Sequence, residues 1–273
     1  MTKSDGPRVT DPAHRDGMRA FEVVLAWVES RILAGELCVG DQLPPERELA
    51  KQLEVSRAAV REAVRTLQAQ GVVRSAVGAG GTGGTTVTAV PAHALTRLLR
   101  LHVALANFAV DDVIEARIAM ERLSIRLACR NARASDLAEM RRAIAVMDDP
   151  EIDKSRFNDA DTALHLAIAE AAGNRLAADF TGAIRESIRG PLLDAIRDVA
   201  GWEDLIETLR ADHRRLYAAI ERRDADAAES LVEDHIRSAW RQHVDSCQDA
   251  RVLWVVDSSV VARLGVVIFR LLR

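Results

Sequence analysis

Four residues in the second half of the chain have the types that hold a divalent cation: Asp161, His165, His213 and His235. Asp161 and His165 are four apart, which puts a carboxylate and an imidazole on adjacent turns of one helix face. Phe157, Leu164, Ile168 and Ala172 share that stripe, so both polar side chains are expected to project into a core. His213 stands in the middle of a second stripe of Leu205, Leu209, Leu216 and Ile220, while His235 follows Leu231 and Val232 and precedes Ala239. Taken singly, such a histidine is ordinarily a satisfied core or rim residue. One carboxylate and three imidazoles facing one interior are costly unless something satisfies them together. A divalent metal does so. This donor set suits Zn²⁺ first, with Ni²⁺, Mn²⁺ or Fe²⁺ as alternatives, and leaves coordination positions open for an exogenous ligand.

These residues need helices to carry them. From Ala92 to about His243 the apolar positions recur with a helical period and no alternating strand run appears. The expected helices are His93–Phe108, Val110–Arg130, Ala134–Met147, Lys154–Ala172, Leu176–Arg189, Trp202–Arg222 and Ala225–Val244. Asp111, Ser135, Asp148 to Pro150, Gly173 to Asn174, Gly190 to Pro191, Gly201 and Asp224 supply the breaks. Helices of these lengths can close a bundle around a cavity, and Pro91 marks where this all-helical domain, 92–246, begins.

The first part of the chain is organised around Gln42 to Val73. Pro44 and Pro45 disfavour helix before them, so a helix is expected from Glu46 with Leu49, Ala50 and Leu53 on its inner side. Glu54 to Ser56 make a turn. Ser56 caps a second helix, in which Val60, Val64 and Leu67 recur until Gly71 ends it. Arg57, Arg61 and Arg65 form a separate cationic stripe; on an arbitrary helix that is a solvated face, but after a helix and a tight turn it suits a DNA groove. An earlier helix, Met18 to Ala34, presents Phe21, Val24, Leu25, Val28, Ile32 and Leu33. After Gly71 comes a run with Gly78, Gly80, Gly81, Gly83 and Gly84 around Thr82. It lacks the GK[ST] ending of a phosphate-binding loop, and no helix starts directly after it.

Length and charge agree with two domains and with a local, not a bulk, attraction to nucleic acid. A chain of 273 residues exceeds one small core, and its formal charge is −4. Residues 1–90 carry 11 Lys plus Arg against 11 Asp plus Glu, so DNA affinity must come from clustered arginines and from pairing two copies. Cys38, Cys129 and Cys247 are widely spaced, with no CxxC, and fit a reducing cytoplasm without disulfides or a zinc knuckle. Residues 1–17 read as a flexible polar arm with no signal-peptide core. The tail, 247–273, is more apolar, but Asp257, Arg263 and Arg270 interrupt it, so a docked segment or a tail without a role is expected before a membrane span.

The stretch LPPERELAKQLEVSRAAVREAVRTLQAQGVV resembles the winged helix-turn-helix of the GntR family of bacterial transcription regulators. The resemblance implies an 18–90 DNA-binding domain with a small β-hairpin wing at the glycine run, and DNA contacts from Arg47, Ser56, Arg57 and Arg61. Family wings often carry a basic tip residue, and this one has none after Arg74. From about Val110 to His243 the chain resembles the FCD effector domain of the FadR subfamily, through DDVIEARIAMERLSIRLACRNA, DTALHLAIAEAAGN and DHRRLYAAIERRDADAAESLVEDHI. That implies Asp161, His165, His213 and His235 as metal ligands, Arg117 as a pocket residue for an anionic effector, and Asn174 at a GN turn. The fold implied is mainly α, a winged helix-turn-helix followed by a bundle of about seven helices. The function implied is a cytoplasmic homodimer that binds a double-stranded operator and acts as a repressor controlled by a small carboxylate. Two rivals stand beside it. In a pure metal sensor the ion itself is the effector; in a metal-dependent enzyme the metal would activate water, but the chain shows no nucleophile elbow, cofactor loop or general base at a fixed motif spacing.

Overall fold

A computed structural model describes residues 17–76, 84–89, 92–105, 107–197 and 201–249. The N-terminal arm up to residue 16, the glycine-rich tip at 77–83, Pro91 and the apolar tail from residue 250 lie outside the described residues. Two compact units are present, one built from residues up to Ala109 with Gly182–Ser187, the other from Val110–Thr181 and the residues from Ile188 on.

The first unit contains α1 (Ala20–Leu33), α2 (Glu46–Leu53), α3 (Arg57–Ala69), β1 (Val73–Ala76), β2 (Gly84–Val87) and α4 (Ala92–Ala104). Pro45 is the N-cap of α2, and Glu46 and Glu48 place negative charge in its first turn, where the helix dipole favours it. Glu54 ends α2 in the left-handed region, at φ 55°, and Ser56 opens α3 by accepting from the Ala59 N–H at 3.1 Å. Gly71 then turns the chain at φ 72°, a conformation that glycine adopts without a Cβ clash. The core joins Val24 and Val28 of α1 to Leu49 and Leu53 of α2 and to Val60, Ala63 and Val64 of α3. The stripe of α1 differs from expectation: Leu33, at the last turn, is 80% exposed, and Val23 and Trp27 are buried instead. Strands β1 and β2 are antiparallel, Val73 opposite Val87 and Ala76 opposite Gly84. A segment not expected to pair also joins them: Leu43 N–H donates to Thr85 O at 2.8 Å and Val87 N–H to Asp41 O at 2.8 Å.

The second unit contains α5 (Val110–Asn131), α6 (Ala134–Met147), α7 (Lys154–Ala171), α9 (Trp202–Glu221), α10 (Ala225–Asp249) and the two ends of α8 (Arg175–Arg197), whose Gly182–Ser187 segment is counted with the first unit. Helix α7 starts where Asp153 accepts from the Arg156 N–H at 2.9 Å. It packs on α5 and α6, while α10 packs on α5 and α9. The seam between α5 and α10 is laced by ion pairs: Arg237 of α10 meets Glu115 of α5 at 3.0 Å, steadied by Glu233 on its own helix at 3.0 Å, and Arg122 of α5 meets Glu229 of α10 at 3.2 Å. Arg223, at φ 62°, caps the C-terminus of α5 through the carbonyls of Cys129 at 3.0 Å and Ala132 at 2.6 Å. Helix α8 does not stop at Gly190–Pro191 as the sequence suggests; it runs on to Arg197. A proline removes a single helix hydrogen bond, and a long helix can absorb that loss where its other bonds remain. Among the described residues no helix is long and apolar enough to cross a membrane.

Candidate functional site

Asp161 and His165 on α7, His213 on α9 and His235 on α10 meet as the sequence predicts, each offering a ligand atom, with these atoms all within 4.8 Å of one another. Asp161 Oδ1 is the hub, 2.9 Å from His213 Nε2, 3.6 Å from His165 Nε2 and 4.0 Å from His235 Nε2. The three imidazoles are buried and Asp161 is partly exposed. The rings crowd one another, with centroids of His213 and His235 4.6 Å apart. The donors fit a divalent cation on a further observation: His165 Nε2 is fully buried and has no hydrogen-bond partner among the described residues.

A second layer of carboxylates backs two of the rings. His165 Nδ1 is in direct contact with Glu121 Oε2, and Glu121 Oε1 accepts from Arg117 Nε at 2.7 Å, both from α5. His235 Nδ1 lies 3.4 Å from Asp212 Oδ2 on α9. A carboxylate accepts there, which places the proton on Nδ1 and leaves Nε2 with its lone pair toward the cluster. Burial pushes the His235 imidazole below its ordinary value, against the Asp212 contact, which raises it. The Asp212 carboxyl is held low by the His235 contact despite its partial burial, with help from Arg215.

The sequence reading missed Glu121, Asp212 and Arg210. Glu121 was signalled by its spacing of four from Arg117. Asp212 meets a histidine 23 residues away, a distance with no local signature. Arg210 is buried in place of the expected Leu209, and it ties α9 to the end of α6: its Nε donates to Met147 O at 2.7 Å and its Nη2 to Asp149 O at 2.6 Å. The stripe of α9 therefore runs through Ile206, Arg210, His213 and Leu216. Asn174 caps α8, accepting from the Ala177 N–H at 3.1 Å. His102 pairs with Asn107 at 2.8 Å.

In the first unit Arg47 lies in the first turn of α2, Ser56 is the cap of α3, and Arg57, Arg61 and Arg65 are exposed along α3. Arg61 Nε is 2.9 Å from Glu46 Oε2 across the two helices.

Residues 22–82 match the model of bacterial regulatory proteins of the gntR family, and residues 112–238 match that of the FCD domain. The HTH-type transcriptional regulator LutR of Bacillus subtilis (strain 168) is 28% identical over 207 residues, covering 74% of this chain and 91% of LutR. The Glc operon transcriptional activator of Escherichia coli (strain K12) is 25% identical over 227 residues, covering 80% of this chain and 86% of the activator. A solved GntR structure from Streptococcus agalactiae shares the fold with a TM-score of 0.53 at 23% identity, covering 81% of this chain and 99% of that one. A helix-turn-helix with a hairpin wing, followed by a helical unit that gathers an aspartate and three histidines, thus coincides with both matches, and the chain belongs to the GntR family of DNA-binding transcription regulators, with the FadR-like architecture that carries an FCD domain.

Proposed function

We propose that this regulator is a metabolite-responsive repressor whose operator binding is controlled by a small organic acid held at a divalent metal in its C-terminal domain. The observation that carries the reading is the convergence of Asp161, His165, His213 and His235, with ligand atoms within 4.8 Å. Zn²⁺ suits this set best, and the cation would supply a Lewis-acidic anchor for a carboxylate. Arg117, buried on α5, would add charge-assisted hydrogen bonds to the same anion. Asn174 would stand at the rim of that pocket while its side chain caps α8. A galactonate operon transcriptional repressor of Escherichia coli (strain K12), 27% identical over 225 residues, supports the choice of repression.

On the DNA side the 18–90 domain would dock α3 in a major groove, with Arg57 and Arg61 at base edges and phosphates, Ser56 at the helix start and Arg47 on a phosphate. Two copies are needed, because a two-fold operator is read by a two-fold protein. Effector binding would then favour one arrangement of the reading domains over another and so change the match to half-site spacing. Fluorescence anisotropy with the chain's own promoter, metal-loaded protein and a panel of small carboxylates tests this. Release of the promoter by one acid, lost in His213→Ala, is the expected result; sequence-indifferent binding would overturn the operator reading.

A second reading takes the metal as the effector itself. The Arg117–Glu121 pair favours it, since Arg117 Nε already has a carboxylate at 2.7 Å. Promoter binding that depends on the ion with no carboxylate present would select this reading.

A further inference from the structure

Arg117, Glu121 and His165 form a buried chain that no requirement of the helix itself explains. Their residues are 8%, 2% and 2% exposed, and Glu121 stands between a guanidinium and an imidazole. Burying an arginine and a glutamate costs several kcal/mol of hydration per ion, on the order of what their mutual attraction returns. A hydrophobic pair would hold α5 against α7 as well. What a hydrophobic pair cannot do is orient the ring of His165.

Resting on the reading of the cluster as a divalent-metal site, we infer that Glu121 is a positioning residue for it, and that Arg117 acts on the metal through Glu121. Glu121 Oε2 lies in direct contact with His165 Nδ1, so the carboxylate bears on the ring edge opposite Nε2, which lies 3.6 Å from Asp161 Oδ1. Arg117 holds the other carboxylate oxygen at 2.7 Å and so sets the angle at which Glu121 meets the ring. His235 is backed in the same way by Asp212, at 3.4 Å from a different helix. Two of the three histidines thus have a dedicated carboxylate behind them. A consequence follows for Arg117: a substitution there weakens metal binding even when no anion is present, so a lost response to effector is not by itself proof of an effector contact.

The test uses the full chain, stripped of metal and titrated with Zn²⁺ against a competing chelator, and with Co²⁺ for its visible absorption. Glu121→Gln is expected to weaken Zn²⁺ binding about 10- to 100-fold and to change the Co²⁺ spectrum. Because that variant leaves Arg117 buried without its carboxylate, the double variant Arg117→Met with Glu121→Gln is measured beside it, and it is expected to show the same loss. Glu115→Gln, on the same helix but in the surface ion pairs, is expected to bind as the unaltered chain does. Unchanged Zn²⁺ affinity and Co²⁺ spectrum in the double variant would overturn the inference. So would a loss seen only where the metal-free protein has also lost its helical circular dichroism, since the role would then be structural. An unaltered chain that takes up neither ion would defeat the metal reading itself, and this inference with it.

Discussion

Glu46 on α2 and Arg61 on α3 meet across the helix-turn-helix, with Glu46 Oε2 2.9 Å from Arg61 Nε. The contact ties the helix that carries Arg47 to the helix proposed to enter the groove. A guanidinium held through Nε keeps its Nη donors for a base edge or a phosphate, and it loses less freedom when it binds. The pair is half exposed, so its worth is bounded at about 1 kcal/mol. Glu46→Gln should therefore lower the preference for operator over unrelated duplex by up to about fivefold. Absolute affinity for unrelated DNA should rise, because a negative charge beside the phosphates is removed. Competition binding with the two duplexes checks both, and an unchanged ratio would show that Arg61 orients itself.

Ser56 is a helix cap and is proposed to contact DNA as well, and the two roles can be separated. Its hydroxyl accepts from the Ala59 N–H at 3.1 Å, and Ser56→Ala should cost about 1 kcal/mol of stability through the lost cap alone. Ser56→Asp restores a capping acceptor but adds a negative charge where the phosphate backbone is proposed to lie. Stability recovered and DNA affinity not recovered would assign Ser56 to both tasks. Recovery of both would leave it a cap only.

The parts of this molecule that were legible in the sequence are those set by short-range rules. Pro45, Ser56 and Gly71 punctuate α2 and α3 by backbone chemistry that needs no tertiary partner. Asp161 and His165 declare themselves because two polar groups sit on an apolar stripe of one helix. Glu121 was half visible, through its spacing from Arg117, but nothing in a helical period says that its second oxygen reaches His165 on another helix. Arg210 was half visible, through its spacing of three from Glu207, but its other partners are backbone carbonyls more than sixty residues away, at Met147 and Asp149, and a carbonyl leaves no mark in a sequence. Leu33 was misread because a helical stripe says which face is apolar, not where the neighbouring helix ends.

Arg210 should prove costly to remove. Its guanidinium satisfies two carbonyls, one at the last residue of α6 and one just past it, while standing one turn before His213 on α9. Hydrogen bonds to a charged group contribute roughly 1.5–3 kcal/mol each, and one buried and one half-buried acceptor would be left unpaired. Arg210→Ala should lower unfolding free energy by about 3 kcal/mol, with a smaller change in Arg210→Lys, which keeps one donor near the carbonyls. Denaturant unfolding of the metal-free protein checks this. A loss below about 1 kcal/mol would mean that the freed carbonyls find water.

Metal removal and acid should act on the same free energy, in the same direction. A cation that binds only the folded chain adds about 2.7 kcal/mol at a hundredfold excess over its dissociation constant, or roughly 5–10 °C in melting temperature for a domain of this size. A chelator should abolish that increment, and His213→Ala should not show it at all. The pH dependence follows from the histidines. Burial lowers the His235 value below the ordinary 6.5, so the unfolded chain takes up its proton first as pH falls. The contribution of neutral His235 to stability is thus fully present above 6.5 and is lost as the pH drops below it. Zn²⁺ adds to the same slope, because the ligand nitrogens must be unprotonated to bind. The melting increment on adding Zn²⁺ should be largest above that value and should shrink steadily below it in the unaltered chain, while His213→Ala stays flat. An increment independent of pH would place the ion on carboxylates instead of on the three histidines.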